Sequence, residues 1–424
     1  MFNRAAKFIK DNLLTFFLLS FLFVKLPPFN FFPFWQTEFF TSHSIARLLS
    51  IFLFLYYVLR DVKRGNFTHF IKGKSVLIFF SIYFLFSTLS IIHARNLESF
   101  FLRYKDVVFA GMFAYITYNF RDQRNKIIKF LILSSIVNFV YQIFMFILPG
   151  SFLSFANVFI YAKHMDLVSI NLQRNRIFIE TYDEIVIPLV FVYFYQNQDR
   201  IKKGFFYLIM FFIAFPSLLS NFRSRIVMLV FAFLASFFLL LKKSVEQKLI
   251  IVVIFIATGI FAYSVLQYNF EYSFIDRFTL QNQREDVNTI YFRFRNLIWS
   301  EDIANTSPFL GVGLGNYYDN LPVKKLYHLS LMNWENKESE IAASNPHNIF
   351  ALIISETGYI NFLVYLIMLI YFAITDLQII LNKKNIVSIS FIISFWTLFI
   401  YSLVNPTTTY TYNLLFWTLR VLII

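Results

Sequence analysis

Residues 348–371 read NIFALIISETGYINFLVYLIMLIY, and Glu356 is the one Asp, Glu, Lys or Arg in the run. About 20 apolar residues in a helix cover the ~30 Å of hydrocarbon in a bilayer. A backbone in lipid must satisfy its own hydrogen bonds, so the run predicts a membrane-spanning helix. It is too continuously apolar for the alternating strands of an outer-membrane barrel. Outward from this stretch, similar blocks predict eleven further spans, near 12–33, 43–60, 75–92, 107–120, 130–148, 178–195, 205–220, 226–241, 249–267, 386–404 and 411–424. The expectation is an all-α integral membrane protein of about twelve transmembrane helices. It forms a single polytopic membrane domain over 1–424, with a long loop at 268–347 between spans nine and ten. There is no linker, second soluble domain or tandem repeat in the sequence.

Composition agrees. The chain is 58% hydrophobic and 15% charged, with a mean hydropathy of +0.61, whereas a soluble domain averages roughly 45–50% apolar and about 25% charged. Its 60 Phe residues read more simply as the signature of an AT-rich genome than as an aromatic ligand surface. The absence of Cys excludes disulfides, thiolate metal sites and thiol redox chemistry. A net charge of +14 points to phosphates, and its distribution assigns it to membrane lipids, not nucleic acid.

Short basic loops recur on alternate sides of the predicted spans. One set holds Arg4, Lys7 and Lys10, then Arg60/Lys63/Arg64/Lys72/Lys74, Arg121/Arg124/Lys126/Lys129, Arg200/Lys202/Lys203, Lys242/Lys243/Lys248 and Lys383/Lys384. By the positive-inside rule these are cytoplasmic, which puts both termini in the cytoplasm. The first segment has a signal-like basic start, but it runs into Lys25-Leu26-Pro27-Pro28 with no small-residue cleavage pattern and reads as an uncleaved anchor.

The opposite, outer face is unexpectedly rich in arginine: Arg174, Arg176, Arg223, Arg225, Arg277, Arg284, Arg293 and Arg295. Charges at a membrane boundary are costly unless paired or wet, and arginine suits bidentate contact with phosphate. Each alone reads as a side chain snorkelling to lipid headgroups; the set, and Arg225 in its tight turn above all, reads as a site for an anionic lipid or diphosphate. Glu180, Asp183 and Glu184 open the sixth span at spacings that share a helical face, and Glu356 lies inside the tenth. Each reads as the structural partner of an arginine or as a general acid or base. Residues 308–317, PFLGVGLGNY, carry Gly311, Gly313 and Gly315. With no strand before it the motif is a poor nucleotide-binding loop, and the glycines read as a close backbone turn. His347, between Pro346 and Asn348 at the mouth of the tenth span, is a structural histidine or one placed to take a proton from a sugar hydroxyl. No His, Asp and Glu spacing resembles a zinc site.

Three of these features together resemble the bacterial O-antigen polymerase and O-antigen ligase superfamily. They are Ser224-Arg225 opening a middle span, Arg295 and Trp299 leading into Pro308 to Gly315, and His347-Asn348 followed by Glu356-Thr357-Gly358. The resemblance covers roughly 220–365 and extends to the first 200 residues only in span pattern. It implies a GT-C-like glycosyltransferase architecture and a metal-independent, inverting glycosyl transfer without cofactors on the outer (periplasmic) face. The donor would be an undecaprenyl-diphosphate-linked oligosaccharide, with a glycan acceptor and a chain-length regulator as partners. On this reading Arg225 and Arg176, with Arg223, Arg293 and Arg295, hold the diphosphate, His347 activates the acceptor hydroxyl, and Glu356 and Asp183 orient partners. In ligases the position three after Gly358 is Gly, Thr or Tyr; here it is Asn361, which favours a polymerase of O-antigen or capsular polysaccharide over a ligase acting on lipid A core. A glycolipid transporter or flippase also fits twelve spans, although neither related halves nor broken midplane helices are legible.

Overall fold

The computed structural model describes residues 2–25, 29, 31, 41–65, 75–160, 182–197, 203–219, 223–240, 283–321, 346–382, 385–405 and 410–423. These are almost entirely helical. The helices are α1 (Phe2–Lys25), α2 (Ser42–Lys63), α3 (Ser75–Leu89), α4 (Leu97–Asn119), α5 (Arg124–Ile147), α6 (Pro149–Phe159), α7 (Ile187–Gln196), α8 (Lys203–Leu219), α9 (Arg223–Leu240), α10 (Gln283–Thr306), α11 (Ile349–Leu381), α12 (Ile386–Ser402) and α13 (Tyr410–Ile423). Short 3₁₀ turns extend α3 over Ser90–His93 and precede α7 over Asp183–Val186.

Among the described residues, three helical segments are long and apolar enough to cross a membrane: Ser75–His93, Arg121–Ile147 and Ile349–Leu381. Four shorter apolar helices accompany them, Asn12–Lys25, Gly204–Ser217, Ser224–Leu240 and Ile386–Ser402. The expected span at 249–267 lies outside the described residues. Other boundaries move. The first helix is described to Lys25, and Phe29 beyond it pairs with Ile160 in an isolated bridge, so the expected span to 33 is not one continuous helix. The fourth begins ten residues early, at Leu97, because Asn96 caps it by accepting from Ser99 N at 3.0 Å. The sixth opens as a 3₁₀ turn and becomes α-helical only at Ile187-Pro188, where proline tolerates the first helical turn. The loop expected over 268–347 contains the 24-residue α10.

Packing sorts the helices by pattern. On α11 the exposed residues Leu363, Ile367, Ile370, Ile374, Leu377 and Leu381 recur every three or four positions, the stripe that a lipid-facing helix presents. Its other stripe, Tyr365, Met368, Phe372 and Asp376, is buried. By contrast α12 and α13 are buried on nearly all sides, as expected of helices at the centre of a bundle. α13 packs most extensively on α4 and also on α12, while α2 lies on α1 and α4.

Two polar pairs fix direction. Arg47 meets Asp106, and Arg60 meets Asn119. Both pairs join α2 to α4 across the same 59 residues, so the two helices run parallel. Arg60 and Arg124 lie at one end of the bundle, the basic end. Gathered at the other are the C-termini of α1 and α12 and the N-termini of α11 and α13: Thr411 donates to Val24 O at 3.1 Å and Asn348 to Leu403 O at 3.0 Å. This second end carries the candidate site.

Candidate functional site

The site is built from two assemblies. The first is a buried chain of charges. Asp183 accepts from Lys25 Nζ (2.9 Å), Ser135 Oγ (2.6 Å) and Asn138 Nδ2 (3.2 Å) on one oxygen, and from Gln142 Nε2 (3.5 Å) on the other. Gln142 also accepts from Arg225 Nη1 at 3.3 Å. Arg225 Nε donates to Glu184 Oε1 at 2.6 Å, and Ser217 Oγ donates to the same oxygen at 2.5 Å. Two cations and two carboxylates from α1, α9 and the Asp183 turn, joined by uncharged polar side chains of α5 and α8, therefore form one neutral network. Lys25, Asp183, Glu184 and Arg225 are all buried, and charges so buried survive only when paired and hydrogen-bonded.

The second assembly is the Pro308–Tyr317 turn seated in a break of α11. Gly358 interrupts that helix at φ 79°, ψ 174°, a conformation essentially restricted to glycine. The hydrogen bonds lost there are replaced by the turn: Tyr359 N donates to Pro308 O (2.7 Å), Val312 N to Ser355 O (3.0 Å) and Gly313 N to Glu356 O (2.9 Å). Gly311 and Gly358 meet backbone to backbone. A Cβ on Gly311 would strike the Glu356–Thr357 peptide, and one on Gly358 would lie 2.5 Å from the Phe309 carbonyl. Gly313 and Gly315 also have positive φ and approach Ala94 and Ser99 respectively, while Asn316 and the Asn96 backbone exchange bonds of 2.6 and 3.1 Å. The turn thus binds α10 to both α4 and α11. Burial raises the Tyr317 phenol well above its ordinary range, with a smaller push from Glu356. It stays protonated and donates to Asn296 Oδ1 at 3.1 Å.

The expected site residues that the structure describes each have a definite setting. Glu356 is buried, with the backbone amides of Gly315 and Tyr317 against its carboxyl and Arg103 as its neighbouring cation. Asp183 has its carboxylate turned into the Lys25 network. His347 sits half-buried at the mouth of α11 with a left-handed backbone, φ 55°. The next residue, Asn348, caps α11 by accepting from Phe350 N and Ala351 N at 2.9 and 3.2 Å. Arg293 and Arg295 both lie on α10, but two residues apart they point about 200° away from each other; the first is half-buried and the second exposed. Arg174, Arg176, Glu180 and Arg277 lie outside the described residues, as do the side chains of Arg223 and Arg284.

Sequence reasoning missed Lys25, Ser135, Asn138, Gln142 and Ser217 as members of the site. One signal was available: Ser135, Asn138 and Gln142, at spacings of three and four, form a polar stripe on an otherwise apolar helix. Among the described residues only Tyr182 and His347 combine a side chain with a left-handed backbone. Such strain, of order 1–3 kcal/mol each, gathers at functional sites, and here it flanks Asp183-Glu184 and Asn348.

No curated protein matches the chain. Residues 205–366, which contain Arg225, the glycine turn, His347 and the α11 break, match the family model described as O-antigen ligase, and that match supports the resemblance to the O-antigen polymerase and ligase superfamily.

Proposed function

We propose that this protein is an O-antigen or other surface-polysaccharide polymerase. It transfers a glycan from undecaprenyl diphosphate to another lipid-linked repeat unit on the outer face of the bacterial inner membrane, by metal-independent inversion. The observation that carries the reading is the position of His347: a strained histidine at the entrance of a helix whose break is filled by the glycine turn, inside the segment that matches the family. The acceptor hydroxyl oxygen attacks the anomeric carbon while His347 takes its proton. The bond from that carbon to the phosphate oxygen breaks, and the electron pair leaves with the lipid diphosphate. Arg225 and Arg176, with help from Arg223, Arg293 or Arg295, supply the cations that stabilise this growing charge. Glu356 and Asp183 act as positioning residues, the first by holding the glycine turn through its amides, the second by holding Lys25.

Ligation to lipid A core is the second reading, and the description of the matched family favours it; Asn361 favours the polymerase. Surface glycan from a deletion strain, complemented with wild type or His347→Ala, separates them on a gel. Core bearing a single repeat unit without a ladder supports the polymerase, and bare core with polymer retained on the carrier lipid supports the ligase. An unchanged ladder refutes both.

A further inference from the structure

The Arg225–Glu184 pair is mismatched in a way that suits a ligand. An arginine and a carboxylate at this distance ordinarily align as a fork, with two parallel hydrogen bonds. Here only Nε is engaged, at 2.6 Å to Oε1, and that oxygen also accepts from Ser217. The second carboxylate oxygen, Oε2, is buried and has no hydrogen-bond partner among the described residues. On the arginine, Nη1 and Nη2 make only long contacts, 3.3 Å to Gln142 and 3.4 Å to Ser217, at or beyond the upper limit for a good N–H···O bond. An unused acceptor therefore stands beside underused cationic donors. The other carboxylate of the network gathers three bonds on Asp183 Oδ1, and Gln142 Nε2 stands 3.5 Å from its Oδ2.

We infer that Arg225 and Glu184 together read the sugar–phosphate junction of the donor: Arg225 takes a phosphate oxygen, and Glu184 Oε2 accepts a hydrogen bond from the substituent at carbon 2 of the sugar attached to it. In a glycosyl diphosphate the 2-hydroxyl or 2-acetamido N–H lies on the carbon next to the one that bears the phosphate. The ligand thus presents a donor next to an anionic acceptor, the mirror of what the pair offers. Glu184 is then a specificity-determining residue for donors that carry a hydrogen-bond donor at that carbon. The effect is strong because the pair is buried, and a site built to bond a hydroxyl rejects the analogue that lacks it by leaving its own polar atom unmet.

This inference rests on the donor reading above, and one experiment distinguishes their failures. The full-length protein in lipid nanodiscs is titrated with undecaprenyl diphosphate bearing glucose, with the same lipid bearing 2-deoxyglucose, and with bare undecaprenyl diphosphate. Wild type is expected to bind the glucosyl lipid at least about tenfold more tightly than the 2-deoxy lipid, the scale of one hydrogen bond to a charged group. In Glu184→Gln that ratio falls towards one, while bare undecaprenyl diphosphate still binds. Equal affinity of wild type for the two sugars overturns the assignment, as it would if a buried water occupied Oε2. A ratio unchanged in Glu184→Gln overturns it as well. If the variant does not insert, the wild-type ratio alone decides. Failure of all three lipids to bind wild type refutes the donor reading itself.

Discussion

Replacing Gly358 with alanine tests whether the glycine turn is a structural plug for α11. The substitution leaves φ 79°, ψ 174° in a region essentially closed to other residues, at a cost of about 2 kcal/mol. Its Cβ would also stand 2.5 Å from the Phe309 carbonyl and 2.7 Å from Gly311 N. Those are backbone atoms and cannot swing away, so relief requires withdrawing the turn. Withdrawal forfeits the three bonds from Tyr359, Val312 and Gly313, each worth about 1 kcal/mol net. The total, about 5 kcal/mol, is comparable with the whole stability of many domains, although local release of residues 308–317 lets the bundle persist. Gly204→Ala is the control: nothing lies within 4 Å of a Cβ there, and alanine is the better helix former by up to about 1 kcal/mol. In detergent, Gly358→Ala should lower the apparent Tm and expose the Val312, Gly313 and Tyr359 amides to hydrogen exchange, with loss of glycan transfer. Gly204→Ala should do none of these. Wild-type protection of those three amides in Gly358→Ala would refute the plug.

Three further outcomes follow from the same geometry. His347→Ala should insert normally yet lower transfer by roughly 10²–10⁴-fold, the usual worth of a general base; near wild-type turnover in a reconstituted assay removes His347 from the chemistry. Lys25→Met leaves Asp183 buried without its cation, which should cost about 3–5 kcal/mol, and the double variant Lys25→Met/Asp183→Asn should recover most of that loss by thermal denaturation. Recovery of transfer as well identifies Asp183 as scaffold, whereas recovered stability without transfer gives it a direct part in the reaction. Finally, Arg420 holds both Asp376 oxygens at 2.6 and 2.7 Å and stacks on Phe372 at 4.0 Å. Replacing Arg420 and Asp376 together with Met and Leu should leave transfer in membranes at the wild-type level, since a buried pair exchanged for apolar groups is often neutral; its loss would show that this pair serves the site.

The sequence made the helical membrane character legible because solid apolar runs carry that signal without any tertiary information. It also marked Arg225, the glycine turn and His347 as candidates, from residue type and motif spacing alone. What it hid is long-range. Lys25 and Asp183 meet across 158 residues, and Gln142 and Arg225 across 83; no local spacing announces either pairing. Asp183 and Glu184 are adjacent and chemically alike, so only their distant partners separate the carboxylate that meets Lys25 from the one that meets Arg225. The early start of α4 was hidden for a related reason. Arg103, Lys105 and Asp106 break its hydropathy, yet Asp106 is buried against Arg47, and the Leu314 side chain of the glycine turn packs with Phe100 and Val107 of the same helix.

The break in α11 also gives the spacing of the motif a physical meaning. Asn348 caps the helix at one end, Gly358 interrupts it at the other, and nine residues lie between. At about 1.5 Å and 100° per residue, the ten steps from cap to break set a rise of about 15 Å and a fixed rotation of the cap relative to the glycine turn. The cap is held independently, through Asn348 Nδ2 to Leu403 O, and the break is held by the turn and hence by α4 and α10. The short helix Ile349–Thr357 is therefore clamped at both ends, and His347 is carried on the outside of one clamp. A side chain alone would not need such a frame. A proton acceptor that must meet an incoming hydroxyl within hydrogen-bond reach does, because a displacement of 1 Å is enough to cost about 10²-fold in rate. On the proposed mechanism, the glycine turn, remote from the reacting atoms, contributes to transfer by fixing where His347 stands.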